Sequence, residues 1–278
     1  MTLKEETVLT ISEKLAFFRE HPVTDWHEHT GLDLVEACND RDTRVDQLIA
    51  AADIAGIDRI VISLPITGGA HASPEEIEAA NDYIAYCCRR HPGRLWGLAY
   101  VDAIHGRYAA DEINRCRREH GFIGVKLYNQ FFLSDDIQKP IIECCIANDM
   151  PILMHAGHAG HPGSIISQPF ISDSTHFCKA AEKYPDATFI LAHPNGGGDW
   201  YWQLKGIARY PNIFCDTSGS VLDGDTVKKF VDTIGAERVL FGTDGSFCSS
   251  IGRLLDSGLT EDQLLTIMDN PAFARYLK

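Results

Sequence analysis

The segment V-T-D-W-H-E-H-T, residues 23–30, is the stretch that decides the fold of this chain. Side chains along a β-strand repeat their direction every two residues, so His27 and His29 are predicted to point to one face. If that face is the inside of a barrel, two imidazole nitrogens converge where a divalent metal of the zinc type can bind. A histidine-rich loop is the competing interpretation, and the rest of the chain decides between them.

Short runs of β-branched or apolar residues recur after this segment, and helix-like stretches separate them at intervals of about 30 residues. Such alternation is typical of parallel β-α units, and eight units close a (β/α)8 TIM-type barrel of the α/β class. A doubly wound open sheet is the alternative, but no G-x-G-x-x-G turn follows the first strand. The seven further runs are 59–64, 95–101, 121–128, 151–155, 188–193, 213–217 and 238–244.

One of the intervening helices carries explicit start signals. Ser73 is placed as its N-cap, Pro74 as its first helical residue and Glu76 as the partner that closes a capping box. Apolar residues then recur on one face, as expected of a helix that covers a sheet. The other predicted helices are 44–55, 108–119, 137–148, 175–184, 200–210, 226–234 and 261–277.

Size and charge restrict the classes of protein. The 278 residues fit one barrel, and no linker rich in Pro, Gly or Ser divides them, so residues 1–278 are interpreted as a single domain. A net charge of −14, from 25 basic and 39 acidic residues, argues against a nucleic-acid partner. No run approaches the ~20 apolar residues that span a membrane, and the N-terminus lacks the apolar core of a secretory signal.

The cysteine pattern indicates a reducing compartment. Nine cysteines, an odd number, are scattered without a C-x-x-C pair, which favours neither a disulfide framework nor a thiolate zinc site. No thiol has an evident activating partner, so cysteine catalysis is disfavoured. We therefore expect a cytoplasmic protein.

Barrel enzymes place their active sites at the C-terminal ends of the strands. Chemically capable residues occur at five of these ends. Any one of them alone could be structural, but their coincidence at one rim indicates an active site. They are His27 and His29 on strand one, Lys126 on strand four, His155 on strand five, His193 on strand six and Asp244 on strand eight.

The motifs D-W-H-E-H, G-V-K-L-Y, M-H-A-G, L-A-H-P-N-G-G and F-G-T-D-G occur in this order along nearly the whole chain. In this respect the sequence resembles the amidohydrolase superfamily, in its amidohydrolase 2 branch of barrel hydrolases, decarboxylases and hydratases. The resemblance implies that the metal ligands are His27, His29, His155 and Asp244. It also implies that His193 lies beside them or polarises the substrate, and that one divalent metal, usually zinc, is bound.

Such a ligand set leaves one position for water, whose pKa zinc lowers toward neutrality. Asp244 would take the proton from that water, and a protonated His193 would stabilise the negative charge on a carbonyl oxygen. The first interpretation is therefore hydrolysis of an ester, lactone or amide bond in a small, carboxylated substrate. The alternatives are a nonoxidative decarboxylase or hydratase acting on an aromatic or unsaturated acid, and a noncatalytic ligand-binding barrel.

Lys126 has two possible roles. As a cation it would bind a substrate carboxylate, whereas a carboxylated Lys126 would bridge a second metal; the usual role of lysine as a point charge favours the first. Asp216, at the end of strand seven, could orient a metal ligand or equally well cap the following helix. The aromatic residues 200–202 hint at a homo-oligomer contact. Further predicted substrate-binding residues are Tyr128, His158 and Asn195.

Overall fold

Eight parallel strands lie side by side in chain order. This computed structural model describes residues 10–30, 41–65, 70–158, 161–196, 199–223 and 225–278. Backbone bonds from Trp26 N to Phe241 O (2.8 Å) and from Asp244 N to His27 O (2.7 Å) join the last strand to the first, which confirms the (β/α)8 barrel. The strands are β1 Thr24–His29, β2 Arg59–Ser63, β3 Leu95–Tyr100, β4 Gly124–Leu127, β5 Ile152–Met154, β6 Phe189–Leu191, β7 Ile213–Asp216 and β8 Val239–Leu240.

Helices follow the strands and cover the outside of the barrel. The predicted capping box of α3 is present, with Ser73 accepting from Glu76 N while the Glu76 side chain accepts from Ser73 N. The helices are α1 Ile11–Glu20, α2 Arg41–Ala55, α3 Pro74–Arg90, α4 Arg107–Arg115, α5 Lys139–Ala147, α6 Pro162–Ser167, α7 Ser174–Lys183, α8 Asp225–Ile234, α9 Phe247–Asp256 and α10 Glu261–Met268.

Two predicted helices are shorter or different in kind. The helix predicted over 261–277 ends at Met268, and a separate 3₁₀ turn covers Ala274–Leu277. Pro271 lies between them, and a proline provides no N–H and disfavours helical backbone in the preceding residue. The stretch 200–210 forms two 3₁₀ segments around Gly206, whose φ of 82° lies outside the helical region.

Apolar side chains from the strands fill the interior of the barrel below the histidines. Trp26 packs edge-to-face on Phe273 with 4.9 Å between ring centroids, which closes the end of the barrel opposite the strand C-termini. The histidines lie at the other end of the barrel. The interior cluster includes Trp26, Val61, Leu98, Leu153, Ile190 and Leu240.

A bulge interrupts the pairing of β1 with β2. Asp25 pairs with Ile60 and Glu28 with Ile62, so β1 advances three residues where β2 advances two. An extra residue in one strand bends it and redirects its side chains. Trp26 can therefore enter the barrel interior while both β1 histidines still reach the C-terminal rim, which simple alternation does not allow.

Gly97 on β3 gives a test of the outer packing. A Cβ at this position would lie 2.6 Å from Cδ1 of the fully buried Phe122 ring. We expect Gly97→Ala to lower the free energy of unfolding by about 1–3 kcal/mol, because overpacking forces strain on a close-packed core. Gly252→Ala is the matched control, since a Cβ in the middle of α9 meets nothing within 4 Å and alanine favours helix. Denaturant unfolding of both variants checks the expectation, and equal stabilities would contradict it.

The cysteines in the described ranges are all unpaired, in agreement with the expectation of no disulfide framework. Cys38 lies outside those ranges. Among the helices that the structure describes, none combines the length and apolar character of a membrane span.

Candidate metal centre and active site

Three of the predicted site residues meet at the C-terminal rim of the barrel. His27, His193 and Asp244 each offer one ligand atom, and these atoms lie within 4.8 Å of one another. Asp244 Oδ1 is 3.5 Å from Nε2 of His27, and Asp244 Oδ2 is 3.5 Å from Nδ1 of His193. His29 joins the same carboxylate, with Nε2 3.2 Å from Oδ1. The geometry can hold a divalent cation.

The backbone at two of these residues adopts an uncommon conformation. His193 has a φ of 54° and Asp244 a φ of 50°, in the left-handed region that non-glycine residues rarely occupy. Each residue follows the end of its strand, and the turn directs its side chain back over the rim. Such conformations cost about 1–3 kcal/mol and persist where surrounding contacts impose them, often at functional sites.

Asp216 determines which nitrogen of His27 faces the centre. Its Oδ2 accepts from Nδ1 of His27 at 2.6 Å, and both side chains are fully buried. The proton therefore lies on Nδ1, and Nε2 presents a lone pair to the cluster. The predicted orienting role of Asp216 agrees with this contact.

His29 presents its lone pair in the same way. Its Nδ1 lies 3.3 Å from the carbonyl oxygen and 3.1 Å from the hydroxyl of Ser63, and in the tautomer with the proton on Nδ1 both oxygens can accept from it. Its Nε2 then faces Asp244 Oδ1, so two acceptors lie 3.2 Å apart. A cation or a proton between them is needed to relieve this repulsion. The residues present thus fit a bound divalent metal.

Lys126 brings a positive charge into the same centre. Its side chain is fully buried, and Nζ donates to Nε2 of His27 at 2.7 Å. Burial lowers the pKa of Lys126 to about 8, and the charges of Asp244 and Asp216 oppose that shift. A metal that binds His27 would have to displace this hydrogen bond.

His155 lies one step away from the cluster. Its Nε2 donates to Oε1 of Gln168 at 2.9 Å, and its Nδ1 accepts from Nε2 of His193 at 3.0 Å. Tyr128 stacks on its ring with 4.1 Å between centroids. Both nitrogens of His155 are thus occupied by protein partners, and its role as a metal ligand stays a prediction.

Burial and neighbouring charges set the protonation of the cluster. Burial lowers the pKa of His193 to about 3, so this imidazole is neutral near pH 7. Burial opposes ionisation of Asp244, but His27 and His193 hold the pKa of this carboxyl well below its usual range. A neutral His193 lacks the charge that the hydrolytic scheme gave it.

Two other predicted substrate-binding residues contact protein groups outside the cluster. His158 contacts Asp173 at 3.0 Å and stacks on Trp202, whereas Asn195 is fully buried and donates to the carbonyl oxygen of Thr217 at 3.1 Å. Five further residues contact the centre or its histidines and were not among the predicted ones. These are Asp25, Glu28, Gln168, Ser218 and Thr243, of which the two acids flank the histidines in the motif D-W-H-E-H.

Comparison with known proteins defines the class. A model of the Amidohydrolase family matches residues 41–272, and the chain belongs to that family of enzymes. A curated relative, gamma-resorcylate decarboxylase from Polaromonas sp., is 25% identical over 253 residues, which cover 73% of this chain and 77% of the relative. A second gamma-resorcylate decarboxylase, from Rhizobium sp., is 24% identical over 256 residues, covering 73% of this chain and 76% of the relative.

Solved structures share the fold. The 5-carboxyvanillate decarboxylase of Novosphingobium aromaticivorans superposes with a TM-score of 0.71 at 16% identity, covering 93% of this chain and 97% of that one. A dihydroxybenzoic acid decarboxylase from Polaromonas sp. has a TM-score of 0.67 at 20% identity, with coverages of 92% and 97%. Both structures contain manganese.

These relatives correct the predicted reaction. The strand-end residues favoured hydrolysis of an ester, lactone or amide, but the curated relatives are decarboxylases, so that prediction is wrong. The open coordination site that suggested activated water serves equally well to bind a substrate oxygen, and the ligand types alone do not separate the two uses. The preference for zinc also lacks support from the manganese-containing neighbours.

Proposed function

We propose that this protein is a metal-dependent nonoxidative decarboxylase of a hydroxylated aromatic carboxylic acid. The similarity to gamma-resorcylate decarboxylases across 73% of the chain carries the proposal. The convergence of imidazoles, a carboxylate and a buried lysine at one rim supports it, since a small anionic substrate needs such charges.

We propose one divalent cation, manganese before zinc, held by Asp244 with His27, His29 and His193 or His155 as the nitrogen ligands. When bound, such a cation supplies Lewis acidity toward the carboxylate and hydroxyl oxygens of the substrate. Carboxylate and imidazole together suit manganese as well as zinc. Lys126 is proposed to stay cationic, in keeping with a single metal.

The chain's own residues supply the charge and the proton transfer. The buried Lys126 ammonium attracts the substrate carboxylate, because an unscreened point charge binds anions well. The Asp244 side chain, 32% exposed toward the rim, takes the proton of the substrate hydroxyl and delivers it to the ring carbon that bears the carboxylate. The bond to the carboxylate then breaks and carbon dioxide leaves. The electron pair of the broken carbon–carbon bond stays with the ring, restores its aromaticity and yields the phenolate of the product.

The experiment is a decarboxylation assay with metal control. Metal-free protein, prepared with a chelator, receives manganese chloride or zinc chloride and then 2,6-dihydroxybenzoate or 5-carboxyvanillate. We expect carbon dioxide and the decarboxylated phenol only after metal addition, with manganese the more effective of the two. Hydrolysis of lactones and hydration of 4-oxalomesaconate are assayed in parallel. Turnover of those substrates alone, or full activity without metal, would overturn the proposal.

We further propose that residues 1–278 act as one catalytic domain in the cytoplasm on a small-molecule carboxylate. Continuous alternation of strands and helices, the composition and the free thiols support this proposal. Gel filtration with light scattering tests the possible homo-oligomer.

A further inference from the structure

The junction of the last and first strands contains two buried carboxyl groups that the proposed chemistry does not use. Asp25 is fully buried and Glu28 is 3% exposed, both on β1, and the hydroxyl of Thr243 lies between them just after β8. We call these three residues the carboxylate clasp. Buried carboxyl groups are costly unless donors surround them, so their partners indicate what they hold.

Asp25 binds one amide on each side of the junction. Its Oδ1 accepts from the backbone N–H of His27 at 3.0 Å and from the backbone N–H of Thr243 at 3.0 Å. Its Oδ2 accepts from the Thr243 hydroxyl. The peptide that carries His27 is thus tied to the residue immediately before Asp244.

Glu28 makes a similar pair of contacts two residues further along both segments. Its Oε1 accepts from the backbone N–H of His29 at 2.7 Å, and its Oε2 accepts from the backbone N–H of Gly245 at 2.9 Å. The same Oε2 lies 2.8 Å from the Thr243 hydroxyl. The peptide that carries His29 is tied to the residue immediately after Asp244.

The two carboxyl groups therefore bracket Asp244 from both sides. Between the contacts of the two carboxyl groups, the backbone N–H of Asp244 donates to the carbonyl oxygen of His27 at 2.7 Å, which adds a direct bond between the two segments. Asp244 has a φ of 50° within this bracket, so its backbone is held in a conformation that it would not readily keep alone.

We propose that the carboxylate clasp positions the metal ligands, by fixing the spacing between the β1 imidazoles and the Asp244 carboxylate. The two carboxyl groups contact backbone N–H groups and the Thr243 hydroxyl, so we assign Asp25, Glu28 and Thr243 as positioning residues. The inference rests on the proposed metal-dependent function. It goes further by assigning metal affinity to three residues that are not ligands.

Manganese titration of the full-length metal-free protein tests the clasp, with free Mn²⁺ followed by its electron paramagnetic resonance signal. Thr243→Val keeps the shape and removes the hydroxyl, and we expect at least about tenfold weaker Mn²⁺ binding, as for other residues that orient ligands. Thr243→Ser restores the hydroxyl and should bind within about threefold of wild type. Glu28→Gln should also weaken binding, because both carboxylate oxygens accept backbone N–H groups and an amide NH₂ cannot.

Thr217→Val is the matched control. Thr217 is equally buried, and its hydroxyl bridges β7 to Gly242 at 3.0 Å without touching either clasp carboxyl. We expect Thr217→Val to lower the thermal midpoint of the metal-free protein about as much as Thr243→Val does. Its Mn²⁺ binding should nevertheless stay within about threefold of wild type. If Thr217→Val and Thr243→Val weaken Mn²⁺ binding equally, the clasp contributes only general packing, and the inference is overturned.

The outcomes separate the inference from the proposed function. Wild-type protein that binds no Mn²⁺ refutes the metal-dependent function and the clasp together. Wild-type binding with equally tight binding by Thr243→Val and Glu28→Gln refutes the clasp alone. Weaker binding by both variants, with rescue by Thr243→Ser, supports the clasp.

Discussion

Replacing Asp244 by asparagine is expected to reduce decarboxylation by about 1,000-fold, the typical contribution of a positioned proton-transfer group. An amide neither accepts the proton of the substrate hydroxyl nor releases one to the ring carbon. The rate of carbon dioxide release from 2,6-dihydroxybenzoate at saturating manganese is the measurement. Saturating metal matters because Asp244 is also a proposed ligand.

Two comparisons make this result specific. Asp232→Asn removes a half-exposed carboxylate on α8 that pairs with Lys228, and it should leave the rate unchanged. The thermal midpoint of Asp244→Asn should stay close to that of wild type, because no apolar contact is lost. An undiminished rate in Asp244→Asn would remove this residue from the mechanism.

The second large effect is expected from Asp216→Asn. Oδ1 of Asp216 accepts three hydrogen bonds, from the backbone N–H of His193, the backbone N–H of Ser218 and the Ser218 hydroxyl. The amide oxygen of the variant would keep that position, so its NH₂ would face Nδ1 of His27. The His27 proton would then move to Nε2 and remove the lone pair from the centre. We expect Mn²⁺ binding to weaken by about 100-fold, with a parallel loss of turnover.

Asp102→Asn supplies the control for this tautomer argument. Asp102 is also buried and accepts from Nδ1 of a histidine, His71, at 2.7 Å, but this pair is not part of the metal-ligand cluster. The same chemical change should leave Mn²⁺ affinity at the wild-type level. Wild-type Mn²⁺ affinity in Asp216→Asn would show that the contact with Asp216 does not determine which nitrogen of His27 carries the lone pair.

Much of the fold could be predicted because its signals are local. Apolar runs mark the strands, and the capping box at Ser73 marks the start of α3, as the structure confirms. The strand predicted over 238–244 shortens to Val239–Leu240, because the chain turns after Leu240 to place Asp244 at the rim. The bulge in β1 left no local signal, since it arises from pairing with a neighbouring strand.

The residues that the structure brings together at the rim could be predicted one by one, but their contacts with one another could not. Histidines and an aspartate at strand ends follow from the barrel rule, and Asp216 was recognised as a possible orienting residue. Gln168 could not be found, because its contact with His155 depends on the path of the chain between β5 and α7. The reaction itself required the relatives, because the same charges and ligands serve several chemistries.

The carboxylate clasp also bears on the order in which the protein folds. Asp25 and Thr243 are 218 positions apart along the chain, so their contact requires closing a very long loop. Contacts between distant residues pay the largest entropic cost and tend to form late. Metal-binding capacity should therefore emerge only in the final stage of refolding, after the intermediate strands have assembled, and it would report on completion of the whole barrel.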